Sequence, residues 1–362
     1  MTPMPVAAAS SARVIAALEA MGSSPHSIEA LAGDVSSRRY YRAQRPEGAI
    51  IACLYPEPFD ETEPARRRWD RLCRVDPATR INFASDPVAY VETTAWLTRN
   101  RIPVPKILGI AGRHGCILLE DVGDRSLEAA VQTMEPAAKL RVYRRAAEYL
   151  IRLQESTPAG CRRGLVGCSL RLDGEKLERE LRLLLRALAS LRGGDSGAAV
   201  DVALQDELAA IARRASPDRM VLCHRDYHSR NLYVHADSLV VLDHQDLRLG
   251  SPCYDVASLM WDPYVDLQPE LRGRVLADLG VAAGDCRLIA VTCQRLLKAL
   301  GTYLNVLLTG ENPVFSRAAS RALLMLRELL PELRMPLSAT WETLDELHGE
   351  LHARFDPVEG GR

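Results

Sequence analysis

The sequence predicts an α+β chain of two lobes, a small antiparallel strand-rich lobe followed by a larger helical one. Three observations carry this. Residues 1–120 read as several antiparallel strands with one important helix, helical spacing dominates from Glu135 onward, and a strand-rich island at Met220–Leu242 interrupts the helices. The expected boundaries are 1–121 for the first lobe, 122–355 for the second and 356–362 for a frayed tail. A linker near Asp121–Arg125 joins the lobes, and ligand sites favour clefts of this kind.

The elements follow in order. Residues 1–25 read as a helix rich in small residues that ends near Gly22. Ile28–Ala32 is a short strand. Arg38–Ala43 and Ala49–Tyr55 flank Pro46, Glu47 and Gly48, which reads as a hairpin. The Pro- and acid-rich stretch 56–64 is a loop. Val88, Val91, Ala95 and Leu97 place a helix over Val88–Arg99, and strands are expected at Lys106–Ala111 and Cys116–Glu120. Helices are expected at 136–155, 173–192, 199–215, 285–308, 316–330 and 339–352, with Gly193, Gly194 and Gly197 breaking the second from the third. The island reads as strands at Met220–Cys223, Leu232–Val234 and Leu239–Leu242.

Composition narrows the function classes. With 47% hydrophobic and 26% charged residues the chain is globular, and no apolar run approaches the roughly 20 residues of a membrane span, so no membrane partner is expected. The 46 basic residues against 47 acidic ones leave a net charge of −1, without the field that a nucleic-acid partner requires. Residues 1–11 lack a basic start, so no signal peptide is expected. The nine scattered cysteines contain no C-x-x-C pair, which fits reduced thiols in a cytoplasm. Oligomeric state is not legible.

The chemistry concentrates in the island. His224, Arg225, Asp226, Tyr227, His228, Ser229, Arg230 and Asn231 spell H-R-D-x-x-x-x-N. In a kinase catalytic loop the aspartate accepts the proton of the attacking hydroxyl, and the asparagine five residues later holds magnesium on the nucleotide phosphates. The loop must reverse for both groups to serve one site. Asp243 follows the apolar run Leu239–Leu242, twelve residues after Asn231, and a carboxylate leaving a buried strand there suits the same metal.

In these motifs the chain resembles the aminoglycoside phosphotransferase-like kinase superfamily, distant relatives of protein kinases. The resemblance runs from about Gly33 to at least Asp262 and is most specific at His224–Asn231, Val241–Gly250 and Pro252–Leu259. Gly33–Arg42, Leu119–Arg125 and the H-R-D-Y-H-S-R-N loop look like the bacterial anomeric kinases of N-acetylmuramate and N-acetylglucosamine, which act in peptidoglycan recycling. The resemblance implies a two-lobed protein-kinase-like fold and an ATP- and Mg2+-dependent phosphotransferase acting on an alcohol group of a small molecule. It makes Asp226 the catalytic base, Asn231 and Asp243 the magnesium ligands and Asp255 a brace of the loop. It places Glu120 and Val122 in the lobe-joining segment that meets adenine, and Glu92 on a helix that presents an acid toward the phosphate-gripping cation. His228 would contact the transferring phosphoryl group. Tyr227, Arg230, Gln245 and Asp246 are the candidates for recognising sugar hydroxyls.

The departures are as informative. G-x-G-x-x-G, V-A-I-K, D-F-G and A-P-E are absent, which excludes a protein kinase. Strand 49–55 holds no lysine, and the chain has only four, Lys106, Lys139, Lys176 and Lys298. Arginine can replace the lysine that grips phosphate, because a guanidinium meets phosphate oxygens bidentately. On the preceding strand Arg38, Tyr40 and Arg42 share one face and Arg39, Tyr41 and Ala43 the other. Alternation leaves open which face looks at the nucleotide; Arg39 is the first choice. Ser36 and Ser37, in the turn before it, could offer backbone N–H groups to the phosphates.

Two alternatives stand beside the sugar kinase. A kinase of aminoglycosides or choline-like amines would need carboxylates around its acceptor, for which Asp262, Asp266, Glu342, Asp345 and Glu346 are available. A nucleotide-binding pseudokinase module is motivated by the missing lysine and opposed by the joint presence of Asp226, Asn231 and Asp243.

Overall fold

The computed structural model describes residues 6–31, 38–75, 83–193, 201–235, 238–310 and 313–355. Ser36, Ser37, Gly194, Gly197 and the tail 356–362 lie outside them. The chain divides into two compact units. The first comprises Met1–Leu127, Ser156–Leu170 and Asn231–Leu247, and the second Glu128–Glu155, Arg171–Arg230 and Arg248–Arg362.

The amino-terminal elements are α1 (Val6–Glu19), β1 (Ser27–Ala30), β2 (Arg39–Gln44), β3 (Ile50–Leu54), α2 (Ala65–Val75), α3 (Pro87–Arg99), β4 (Ile107–Ala111) and β5 (Cys116–Glu120). Then come α4 (Leu127–Val131), α5 (Pro136–Glu155), α6 (Thr157–Arg162), α7 (Gly174–Leu191) and α8 (Val202–Ala215). The island forms β6 (Val221–Cys223), β7 (Leu232–His235), β8 (Ser238–Val241) and β9 (Arg248–Gly250). The chain continues with α9 (Cys253–Met260), α10 (Pro269–Asp278), α11 (Cys286–Thr309), α12 (Pro313–Leu329) and α13 (Ser338–Phe355).

Among these, α2, α4, α6, α9, α10 and β9 were not expected. Helix α2 escaped because its arginines mask the apolar stripe on which only Trp69 is buried. Strand β9 has three residues and makes its pairing with β6, far away in sequence.

In the first unit five strands form an antiparallel sheet of order β1-β2-β3-β5-β4. Alternation gives the sheet two apolar faces. Tyr41, Ala43, Ile50, Ala52, Leu54, Cys116 and Leu118 pack against Val14, Ala17 and Leu18 of α1. Tyr40, Ile51, Cys53, Ile117 and Leu119 pack with Tyr90 and Val91 of α3. Helix α3 starts at Pro87, with Asp86 as its cap accepting from Val88 N–H at 2.9 Å. Val166 and Leu170 join this unit through a cluster with Trp69, Phe83 and Ala89.

The second unit is helical and centres on α11, whose buried residues run from Leu288 to Leu307. Asp285 caps it by accepting from Arg287 and Leu288 N–H. Helix α11 packs on α7, α8, α9 and α12. Its approach to α7 needs Gly301: a Cβ there would sit 2.6 Å from Leu184 N and 2.8 Å from Leu184 Cα. Among the described residues no helix is long and apolar enough to cross a membrane.

Candidate active site

The motif residues fall on both units and are described on each in turn. In the first unit β7 and β8 form an antiparallel hairpin with Leu232 opposite Val241. Asn231 immediately precedes β7, Leu242 N–H donates to the Asn231 carbonyl at 2.8 Å, and Asp243 follows. Asn231 and Asp243, twelve residues apart in the chain, therefore meet at the open end of one hairpin. Asp243 has φ +56, a left-handed conformation that costs a non-glycine residue about 1–2 kcal/mol. Arg38 Nη2 donates to its Oδ1 at 3.2 Å and Gln245 Nε2 at 2.8 Å. The Asp243 side chain remains 44% exposed.

The two faces of this strand have different neighbours in the first unit. Arg38, with a side chain only 8% exposed, lies on the α3 side and reaches Asp243. Arg39, the first choice from sequence, is exposed on the α1 side and donates to Ser10 Oγ at 3.1 Å. The first choice from sequence is therefore turned away from Asp243 and Arg38 toward it, because the sheet presents alternate residues to opposite helices. Arg42, on the Arg38 face, clamps the segment after β5, bonding Asp121 at 2.7 Å and Asp124 at 2.6 Å.

Glu92 is also corrected. Tyr90 and Thr94, one helical turn apart, share the face of α3 that meets His244: the Tyr90 ring centroid lies 4.6 Å from that of the imidazole, and Thr94 Oγ1 is 2.7 Å from Nε2. Glu92 lies well round the helix from them and accepts from Val166 N–H at 3.0 Å. Burial pushes its carboxyl up to about 7, against the pull of that hydrogen bond and of Arg66. Glu120 pairs with Lys106 at 3.0 Å, and the Val122 carbonyl is hydrogen-bonded to His235 Nδ1 at 3.1 Å. Gln245 is buried and braces Asp243, which removes it from the candidates for sugar contact. Asp246 is half-buried.

In the second unit β6 pairs with β9, with Cys223 opposite Arg248, and delivers the chain into the loop His224–Arg230. Buried Asp255 on α9 accepts from both His224 N–H (2.6 Å) and Arg225 N–H (2.9 Å). That pins Arg225 at φ +82. The Arg225 guanidinium bonds Glu180 of α7 at 2.6 Å. Further on, Asp262 accepts from Ser229 N–H at 2.8 Å. The loop is thus fixed at both ends by carboxylates.

Asp226 stands between these braces with its side chain 36% exposed, and Lys298 Nζ of α11 donates to its Oδ1 at 3.1 Å. Burial alone would raise the Asp226 carboxyl, but Lys298, Arg225, His228 and Arg295 outweigh it and hold the group well below the usual carboxylate range. Burial, by contrast, lowers His228, whose ring packs on Tyr264 at 5.4 Å between centroids. Arg230 lies over Tyr264 at 4.8 Å and reaches Glu128 at 3.4 Å. Tyr227 is corrected: it is 2% exposed and its hydroxyl donates to the Ala146 carbonyl at 2.9 Å, a core role.

Sequence reasoning passed over Lys298 and Glu180 as site residues. A signal for the first existed: Arg295 and Lys298, three apart, share one face of a largely apolar helix.

The comparisons with known proteins fit this geometry. Residues 27–289 match the model of the phosphotransferase enzyme family. The chain belongs to that family. An N-acetylmuramate/N-acetylglucosamine kinase of Caulobacter vibrioides is 28% identical to this phosphotransferase over 258 residues, which is 67% of this chain and 69% of the relative. Choline kinase LicA from Streptococcus pneumoniae superposes with a TM-score of 0.57 at 10% identity, covering 88% of this chain and 99% of that one. The aminoglycoside phosphotransferase APH(4)-Ia, a thermostable mutant in its apo form, gives 0.53 at 16% identity, covering 86% and 97%. The fold is therefore that of the kinase-like phosphotransferases, and the protein transfers a phosphoryl group to a hydroxyl.

Proposed function

We propose that this phosphotransferase moves the γ-phosphoryl group of ATP to the anomeric hydroxyl of an amino sugar, N-acetylmuramate and/or N-acetylglucosamine, in the cytoplasmic recycling of peptidoglycan. The observation that carries the reading is Asp226, presented by a loop braced at both ends and held ionised beside Lys298. A carboxylate held so far down is a weak base. It suits an acceptor whose hydroxyl is already acidic, as an anomeric hydroxyl is among sugar hydroxyls, with orientation doing most of the work. The name of the Caulobacter relative supports the same substrate class.

In this reading Asn231 and Asp243 hold magnesium. They fit: one amide oxygen and one carboxylate at the end of a hairpin make a sparse hard-oxygen set, and magnesium takes few protein ligands beside water and substrate phosphates. Bound magnesium would neutralise charge on the β- and γ-phosphates. Arg38 orients Asp243 and supplies the cation that strand β3 lacks. Backbone N–H groups at Ser36 and Ser37 remain a proposal, as do adenine contacts at Glu120 and Val122 and acceptor contacts at His228, Arg230 and Asp246.

Three of the five carboxylates that would favour a cationic acceptor are engaged elsewhere. Asp262 holds Ser229 and Tyr264 N–H, Glu346 pairs with Arg192 at 2.5 Å, and Asp345 pairs with Arg327. The test is ADP release with ATP, Mg2+ and N-acetylmuramate, N-acetylglucosamine, kanamycin or choline in parallel, with the product position read by 31P NMR. Turnover of an N-acetyl sugar to the 1-phosphate is expected. Turnover of kanamycin or choline alone would replace the reading, and no turnover of any acceptor would favour the nucleotide-binding module.

A further inference from the structure

We propose that Lys298 is the positioning residue of the phosphoryl-transfer site, an ammonium group carried by α11 that fixes the carboxylate of Asp226 toward the acceptor hydroxyl. The inference rests on the reading of Asp226 as the base.

Three features carry it. The Lys298–Asp226 contact is short, 3.1 Å, with side chains 19% and 36% exposed, so solvent screens it incompletely. Its anchor is rigid. Leu297, Leu300 and Gly301 around Lys298 are buried, and Gly301 seats α11 directly on the backbone of α7. The ammonium is also in the right company. Charged and titratable groups facing Asp226 are Lys298 and Arg295 from α11, Arg225 and His228 from its own loop, and Glu180 from α7. Glu180 engages Arg225 at 2.6 Å, so the loop arginine is drawn toward α7 while Lys298 meets Asp226.

The consequence is chemical. Holding Oδ1 fixes the carboxylate plane and hence the direction of its second oxygen. In the transfer the acceptor O–H bond breaks and its proton passes to Asp226. The new O–P bond forms as the bond from the γ-phosphorus to its bridging oxygen breaks, and that electron pair leaves with ADP. The ion pair with Lys298 is strongest before the proton arrives, so Lys298 keeps Asp226 ionised and aimed rather than strongly basic.

The test is a double-mutant cycle on Asp226→Asn and Lys298→Met, with Lys298→Arg as the conservative variant. ADP release is followed with N-acetylmuramate and, in its absence, with water as acceptor, from pH 5 to 9. Lys298→Met should lower kcat on the order of a hundredfold while the KM for ATP changes less than twofold. It should also bring into the assay range an acid limb that the wild type lacks, and Lys298→Arg should recover about tenfold. Added to Asp226→Asn, Lys298→Met should cost less than threefold more. Normal turnover by Lys298→Met, with Asp226→Asn inactive, would overturn the inference and leave the base in place. Additive losses would reduce Lys298 to a folding role and overturn it as well. Normal turnover by Asp226→Asn would overturn the base itself. Should Lys298→Met fail to fold, Lys298→Gln takes its place: an acid limb and a lower kcat that Lys298→Arg partly restores support the proposal, and equal kcat and pH profiles in the two variants refute it.

Discussion

Asp255 carries no charge to a substrate, yet its replacement should be among the most damaging in the chain. Its two carboxylate oxygens accept from His224 N–H at 2.6 Å and Arg225 N–H at 2.9 Å, and those residues are 2% and 9% exposed. In Asp255→Asn the amide offers one acceptor oxygen and one NH2, so whichever way it turns, one buried N–H faces a donor. An orphaned buried donor costs about 1–3 kcal/mol. Asparagine also escapes the burial that pushes the Asp255 carboxyl up, which offsets part of the loss. A net figure near 2 kcal/mol is therefore expected locally, and about twice that for Asp255→Ala, which orphans both donors. The loop also holds Arg225 at φ +82, a conformation costing roughly 1–2 kcal/mol that it would abandon once released. Asp226, the next residue, would move with it. Amide hydrogen exchange across residues 222–227 should quicken by about thirtyfold in Asp255→Asn, the equivalent of 2 kcal/mol, and more in Asp255→Ala. Catalytic turnover should fall at least tenfold. Equal exchange in the asparagine and alanine variants would refute the count of orphaned donors, and unchanged exchange in both would refute the brace.

Arg38→Ala should raise the KM for ATP roughly tenfold, about 1.4 kcal/mol, with Arg38→Lys failing to rescue it and Arg39→Ala behaving as wild type; a crippled Arg39→Ala beside a silent Arg38→Ala would reverse the face assignment. Asp243→Ala should weaken magnesium-ATP binding by calorimetry and abolish turnover, while Asp246→Ala leaves nucleotide affinity intact; equal losses would show the wrong carboxylate was chosen. Glu92 gives a pH test. Its folded carboxyl titrates near 7 against 4.5 for the free group, so the folded state holds the extra proton between those values and stability is lost as pH rises through that window. Glu92→Gln should therefore raise the melting temperature at pH 8, by the equivalent of about 1–3 kcal/mol, and leave it unchanged at pH 4.5; a benefit equal at both pH values would exclude titration as the cause.

Much of the motif arrangement was legible because it is local. The spacing of Asp226, Asn231 and Asp243 is a property of one hairpin and its flanking loop, and the period-2 runs of β2, β3 and β5 are set by neighbouring residues. Helix α11 announced itself by length and apolar content. What misled the reading was orientation. Glu92 and Thr94 are two residues apart, and only packing shows that Thr94 meets His244. Tyr227 and Gln245 look like surface polar groups in a motif, but they are buried, one bonded to Ala146 and the other to Asp243.

The sequence by itself determined the fold class, the family and the order of the chemical groups along the catalytic loop, since backbone propensity, side-chain alternation and motif spacing act over a few residues. Tertiary structure alone decided which cation each carboxylate meets. A strand offers Arg38 and Arg39 to opposite faces with equal ease, and only the sheet's packing between α1 and α3 turns Arg38 toward Asp243 and Arg39 toward Ser10. Lys298 lies 72 positions from Asp226, and no local rule joins them. Their pairing comes from the seating of α11 on α7 at Gly301, a contact between backbones that side-chain patterns do not encode.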